Sequence, residues 1–297
     1  MAKALNERVI GQEHLTQAVA RLIQLRCAKP VPGKPLATLL FGGSRGTGKT
    51  ELALAMAEYL YQDEKTVCRF DCVELRTPES AMRLVGAPPG FIGSKRGGEL
   101  TRAVFDNPKR ILLFEEMERA GGELADLLLQ IMEGARLCEV SSGKMADFSQ
   151  AILILTTNLS AGTLTELQMK IQDPQALFWA IRDELVATGR FRLDLANRFD
   201  AILVFRPLRA QAIAQITALK IRNMAKAYGM ELMSVDPAIV LRLVESTERF
   251  GHVGIRELEV AIAEMLGDHF LQASEFGVKK ISLEVESDGV IALSEVE

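Results

Sequence analysis

The feature that most constrains this chain is the run Gly43-Ser44-Arg45-Gly46-Thr47-Gly48-Lys49-Thr50, which fits Gly-x-x-x-x-Gly-Lys-[Ser/Thr], the P-loop pattern. Leu36 to Phe41, just before it, is short and apolar, as a buried strand is. Glu51 to Tyr61, just after it, carries Leu52, Ala55, Met56, Tyr59 and Leu60 at helical spacing. Strand, glycine turn and helix is the context the motif needs. The glycines let backbone N–H groups turn inward around phosphate oxygens, and the new helix adds its positive N-terminal end. In that setting Lys49 can reach the β- and γ-phosphates of a nucleotide, and Thr50 can give its hydroxyl to Mg2+. The alternative is a glycine turn that binds nothing, and the flanking strand and helix argue against it.

The rest of the chain extends this unit. Glu13 to Cys27 is helical, and Pro30, Pro32, Gly33 and Pro35 make a stiff loop that ends it. Thr66 to Asp71 reads as a strand, Ser80 to Val85 as part of a short helix and Glu99 to Phe105 as another helix. Gly86 to Gly93 holds two prolines and three glycines, which excludes regular structure. Ile111 to Glu116 and Ala151 to Asn158 are apolar runs that end in polar residues, the pattern of buried parallel strands with a ligand site at their C-terminal ends. Leu124 to Met132 and Leu177 to Ala187 are helical, and Ala201 to Phe205 is a last strand. Beyond Pro207 the texture becomes helical, over 210–228, 236–246 and 255–273, with Leu258, Ile262, Met265, Leu266 and Phe270 on one face. A hairpin closes the chain, with Ile281, Leu283 and Val285 on one strand, a turn at Ser287-Asp288-Gly289 and a return over 290–293. The expected fold class is α/β: a P-loop domain with a parallel sheet flanked by helices over 1–206, then a smaller, mostly helical lid domain with a terminal β-hairpin over 207–297.

Composition narrows the function. The net charge of −4 argues against a chain whose main partner is nucleic acid. No apolar run approaches the roughly 20 residues of a membrane span. The first residues do not read as a signal peptide. Cys27, Cys68, Cys72 and Cys138 lack zinc spacing, and the setting of Cys68 and Cys72 reads as buried free thiols. Together these features point to a reducing, cytoplasmic setting.

Splitting a nucleoside triphosphate needs a metal ligand, a group that orients water, and positive charge at the transition state. Glu115 and Glu116 are candidates for the first two. Strand neighbours face opposite sides, so the two acids take different roles: Glu115 toward Mg2+ and Glu116 toward the attacking water. Asn158 ends the next strand and can reach the γ-phosphate or that water. Arg198 and Arg256 are candidates for the positive charge, but spacing alone does not single them out among many arginines.

With these residues in hand, the chain resembles the AAA+ ATPases of the Clp type, most closely the second ATPase module of ClpB-like and ClpA-like unfoldases. The resemblance runs from Arg8-Val9-Ile10-Gly11-Gln12 nearly to the end. Its most specific part is Gly86 to Gly93 followed by Gly97-Gly98-Glu99-Leu100-Thr101, similar to that family's pore loop. It implies that Val9 and Ile10 hold the adenine, that Gly43 through Thr50 form Walker A, and that Glu115 and Glu116 form Walker B. It implies sensor 1 at Asn158, an arginine finger acting on the neighbouring subunit at Arg198, and sensor 2 at Arg256. Phe91 and Ile92 fall on the substrate-gripping pore loop. The implied assembly is a hexameric ring that threads unfolded or aggregated protein using ATP and Mg2+.

Three departures matter. Glu115 stands where the family usually has Asp, which opens a second reading as a nucleotide-binding assembly module with weak hydrolysis. Lys95 and Arg96 stand where the family tends to carry acids, which implies a preference for acidic substrate segments. The stretch 163–190 lacks the Ile-Gly-[Phe/Leu] tripeptide of protease-docking members, so no attached peptidase is expected. The amino-terminal domain, first module and coiled-coil arm of ClpB have no counterpart here, so the chain is expected to be either a piece of a two-ring protein or a single-ring relative. A third reading, an AAA+ protein acting on nucleic acid, has neither a helix-turn-helix nor a basic face to support it.

Overall fold

The computed structural model describes residues 1–91, 94–248, 255–285 and 291–295 and divides into two compact units, Met1–Pro207 and Leu208–Glu297. The first runs α1 (Ala2–Arg8), α2 (Glu13–Ala28), β1 (Ala37–Gly42), α3 (Lys49–Tyr61), β2 (Val67–Asp71), α4 (Pro78–Val85), α5 (Glu99–Asp106), β3 (Ile111–Glu115) and α6 (Gly122–Gly134). It continues through β4 (Arg136–Cys138), β5 (Met145–Asp147), β6 (Ile152–Thr157), α7 (Ala161–Lys170), α8 (Pro174–Ala187), α9 (Leu193–Ala196) and β7 (Ala201–Val204). Five strands form one parallel sheet in the order β2-β3-β6-β1-β7.

Parallel strands are covered on both faces, which is why they read as unbroken apolar runs. Alternate residues divide between two cores. Leu39, Phe41, Ile111, Leu113, Ile152 and Ile154 pack with Leu15, Val19, Leu52 and Met56. Leu40, Leu112, Phe114, Leu153 and Leu155 pack with Leu84, Leu100, Leu128, Leu164 and Leu185. The α/β fold is the expected one. Four elements of this unit go beyond the sequence reading: α1, α7, the short α9 and the small antiparallel β4–β5 hairpin that flanks the expected turn.

In the second unit, α10 (Ala210–Ala227), α11 (Pro237–Glu248) and α12 (Ile255–Glu275) accompany β8 (Glu231–Val235), β9 (Lys280–Val285) and β10 (Ile291–Glu295). The terminal pair β9–β10 is antiparallel as expected, and its turn at 287–289 lies outside the described residues. The pair is extended to a three-stranded sheet by β8, which lies parallel to β9. Leu258, Ile262, Leu266 and Phe270 of α12 are buried, while Met265 is half-buried.

Asp200, at the entrance to β7, fastens that strand to β1. Its Oδ2 accepts from the Thr38 backbone N–H at 2.8 Å and from Thr38 Oγ1 at 3.1 Å, and its Oδ1 pairs with Arg26 of α2. Thr38 Oγ1 also donates to the Arg198 carbonyl at 2.8 Å, so the same latch sets the backbone that carries Arg198. Asp200→Ala leaves a half-buried guanidinium and a backbone N–H without partners, and should lower stability by about 3 kcal/mol in urea unfolding. A loss below about 0.5 kcal/mol, the level of an ordinary surface change, would contradict this assignment.

Candidate functional site

The P-loop joins β1 to α3, and the packing of its first glycine shows why the spacing is strict. Gly43 has φ of 144°, and a Cβ there would lie 2.7 Å from the Phe205 carbonyl oxygen. No other residue type lets the loop pass this close to the end of β7. Ser44, Arg45 and Gly46 form the exposed crown, and Thr47 folds back to donate to the Ser44 carbonyl at 2.8 Å. Val9 is buried, with Cγ1 about one van der Waals contact from the position of a Gly48 Cβ, which puts it against the base of the loop. Ile10 follows it, half-buried.

Lys49, the first residue of α3, is 9% exposed. Its ammonium donates to the Gly43 carbonyl at 2.6 Å, the Ser44 carbonyl at 2.8 Å and Asn158 Oδ1 at 2.8 Å. All three acceptors are neutral, and among the described residues it has no carboxylate ion-pair partner. Burial therefore pulls its pKa down to about 8, only partly offset by the more distant charges of Glu118 and Glu116. A desolvated cation held on neutral acceptors fits an anion supplied from outside, and the triphosphate of a nucleotide meets that need.

The two glutamates are held separately, but not by strand alternation. β3 ends at Glu115, and Glu116 lies beyond it in the left-handed region, with φ 57° and ψ 52°. That conformation is strained for a residue with a Cβ. It is held by a hydrogen bond from the Glu116 N–H to Thr156 Oγ1 at 3.1 Å. Glu115 Oε1 accepts from Thr50 Oγ1 at 2.8 Å, and its Oε2 pairs with Arg69 of the neighbouring strand at 2.8 Å. Thr50 and Glu115 thus stand together, as a shared Mg2+ site requires. Glu116 pairs with Arg45 of the P-loop at 2.6 Å and with Arg119 at 3.0 Å. Asn158 Nδ2 lies 3.5 Å from Glu116 Oε1, so Asn158 stands between Lys49 and Glu116.

Among the described residues, the Arg198 side chain makes no bond to this cluster. Arg198 pairs its guanidinium with Glu133 of α6 and is 42% exposed. Arg256 is the second residue of α12 in the second unit, and its side chain lies outside the described residues. Phe91 is 66% exposed rather than tucked into the core, and Ile92 lies outside the described residues. Further along, Gly98 and Thr101 are anchored by buried Glu139. Burial would raise this carboxyl, but hydrogen bonds from Ser142, the Gly98 N–H, Thr101 and Ser141 outweigh it and keep Glu139 below its ordinary pKa. Gly98 must be glycine, because a Cβ there would lie 2.3 Å from the Leu84 carbonyl oxygen. Of the cysteines, Cys72 is buried and its thiol is pushed up by burial; Cys68 is only half-buried, against the expectation for it.

Sequence reasoning missed several participants. Fully buried Gln12 clamps the loop, donating to the Thr47 carbonyl at 3.2 Å and the Arg206 carbonyl at 2.8 Å. Arg69 and Arg119 neutralise the two glutamates, and Glu118 Oε1 accepts from the Asn158 N–H at 3.2 Å. No spacing rule marks them, since their roles arise from strand neighbours and from the turn after β3.

A glycine cradle at the C-terminal ends of a parallel sheet, with a buried lysine and two acids beside it, defines a P-loop nucleotide-binding protein. The sequence profile of the AAA domain (Cdc48 subfamily) matches residues 34–202, and the chain belongs to that family of ATP-binding proteins. Its relatives place it among the Clp-type members. The chaperone protein ClpB of Gloeobacter violaceus is 35% identical over 245 residues, which cover 82% of this chain and 27% of that protein. ClpB of Vibrio vulnificus strain YJ016 is 33% identical over 300 residues, 98% of this chain and 34% of the relative. ClpB of Pseudomonas putida is 36% identical over 247 residues, 82% and 28% respectively. The chain thus spans about a quarter to a third of the length of these relatives. Among the described residues, no helix is long and apolar enough to cross a membrane.

The pH dependence of nucleotide binding follows from Lys49. A polyphosphate favours the charged ammonium, which in the free protein is lost as pH rises through about 8. Affinity for ATP should be flat below about pH 7 and weaken by roughly tenfold by about pH 9. Lys49→Arg, which stays charged, should flatten the profile even if it binds more weakly. Wild-type affinity that is constant across this range in calorimetric titration would contradict the assignment.

Proposed function

We propose that the chain is the ATP-hydrolysing module of a ring motor that unfolds, disaggregates or remodels proteins by threading polypeptide through a central pore. Among the family's modules, the second of the ClpB/ClpA-like unfoldases is the nearest counterpart. The observation that carries the reading is the buried, carboxylate-free Lys49 ammonium, bonded to Asn158 and flanked by two separately held glutamates. Bound ATP with Mg2+ would supply the phosphoryl group and the charge neutralisation for its transfer. Lys49, with the backbone N–H groups of Gly43 to Thr50, holds the phosphates, and Thr50 and Glu115 are the residues that would hold the Mg2+. Glu116 orients and takes a proton from the attacking water, and Asn158 links that carboxylate to Lys49. Val9 and Ile10 take the adenine.

In the same reading Arg198, exposed and outside its own chain's cluster, serves the neighbouring copy, and Arg256 acts as sensor 2 from a lid domain over 207–297. The nucleotide domain covers 1–206. The assembly is a hexamer in the cytoplasm without an attached peptidase, and Phe91 and Ile92 press on unfolded clients. An exposed phenylalanine beside Gly90, at φ 92°, supports a loop that grips side chains without reading sequence.

A second reading, tight nucleotide binding with weak turnover, draws on one observation. Glu116 is already paired with two guanidinium groups and Glu115 with a third, so the base must shed a partner before it can accept a proton. The ATPase rate per protomer, measured against protein concentration with and without an unfolded protein, separates the two. The motor reading predicts a rate that rises with concentration and with client. It predicts losses of roughly 10²–10⁴ for Glu116→Gln and about 10³ or more for Arg198→Ala. Tight binding with negligible turnover would favour the second reading, and a rate indifferent to concentration and to Arg198 would end the shared-site mechanism.

A further inference from the structure

Arg45 is the one charged side chain on the crown of the P-loop, and the reaction set out above gives that side chain no part. It is 73% exposed, and among the described residues its only ion-pair partner is Glu116, whose Oε1 accepts from Arg45 Nη2 at 2.6 Å. Glu116 does not depend on that contact, because Arg119, three residues along the chain, pairs with its Oε2 at 3.0 Å. One carboxylate thus faces two guanidinium groups, and one positive charge is left over. An ion pair made by so exposed an arginine is weak and easily exchanged for a stronger one.

The position of Arg45 points to the stronger partner. It follows Ser44, whose carbonyl accepts from the Lys49 ammonium at 2.8 Å, so one turn carries both cations. The carboxylate oxygen that Arg45 grips lies 3.5 Å from Asn158 Nδ2, and Asn158 Oδ1 bonds the same ammonium. The Arg45 charge is felt at Lys49, where it adds to the lowering of the pKa by burial. The terminal phosphate of a nucleotide held at Lys49 offers a guanidinium several oxygens and more negative charge than a carboxylate does. We propose that Arg45 reads that terminal phosphate: it leaves Glu116 for the phosphate, so that a triphosphate, and not a diphosphate, frees Glu116 Oε1 for the attacking water. This deepens the nucleotide reading above and rests on it. It names Arg45 as the partner that the base sheds, while Arg119 stays and keeps the carboxylate placed. It also makes Arg45 a catalytic arginine supplied by the site's own chain, in addition to the one supplied by a neighbour.

Calorimetric titration of a non-hydrolysable ATP analogue and of ADP, each with Mg2+, into wild type, Arg45→Ala and Arg45→Lys tests this. Arg45→Ala should lose at least about tenfold more affinity for the analogue than for ADP, the effect of one charge-assisted contact to phosphate. Arg45→Lys, which keeps a charge on the same loop, should recover part of that difference. The difference should persist in a Glu116→Gln background, where no carboxylate remains for Arg45 to guard. ATP turnover by Arg45→Ala should fall by at least about tenfold, although the variant strips a partner from the base. Equal losses for the two nucleotides, or turnover that rises, would overturn the proposal and leave Arg45 a mere guard on Glu116. If wild type bound neither nucleotide, the nucleotide reading itself would fall and take this inference with it; if wild type bound both and their relative affinity ignored Arg45, the inference alone would fall.

Discussion

The structure depends on an ammonium group taken out of water without a counter-ion. Lys49 is held by two carbonyls of its own loop and by the Asn158 amide, and its lowered pKa measures how poorly neutral groups replace water. The surrounding architecture makes this arrangement possible. The P-loop turns back on itself because Gly43 passes against the Phe205 carbonyl and Gln12 ties Thr47 to Arg206. β6 brings Asn158 to the same point because it lies next to β1 in register, with Gly42 opposite Thr157. A site that stores an unmet charge is prepared to bind the opposite one.

Around that charge the polar groups form three lines. Thr50, Glu115 and Arg69 make one; Arg45, Glu116 and Arg119 make the second; Lys49, Asn158 and Glu118 make the third. Asn158 touches both the second and the third, so a change at the lysine end can be passed to Glu116 through one side chain. The guanidinium partners of Glu115 and Glu116 hold both acids in place, and they also occupy the oxygens that chemistry would use. The weak-turnover and motor readings differ in whether those partners are released.

Much of the fold was legible because both faces of the central sheet are buried. Continuous apolar runs at 36–41, 111–114 and 151–155 have no other use in a chain of this class, and each became a strand. Elements held by context rather than pattern were missed. β8 exposes much of its surface and is defined by pairing with β9, and β4 and β5 are three residues each. At the site, the residue types with special chemistry were readable from spacing. Their partners were not, because Gln12, Arg69 and Glu118 arrive from separate elements. Glu116 shows the limit most clearly: a two-residue alternation rule assigned it a separate role from Glu115, whereas a left-handed turn held by Thr156 is what separates them. Its positive φ has no signature in a glutamate.

The central claim is that the buried Lys49 charge is completed by a triphosphate. Its most direct test is the affinity for ATP with Mg2+ of wild type and Lys49→Met, a side chain of similar length without charge, read by calorimetry alongside a denaturation curve to confirm folding. The account predicts that Lys49→Met folds at least as stably as wild type, since it removes an uncompensated buried charge, and that it loses at least about a hundredfold in affinity. A folded Lys49→Met variant that bound ATP as tightly as wild type would contradict it.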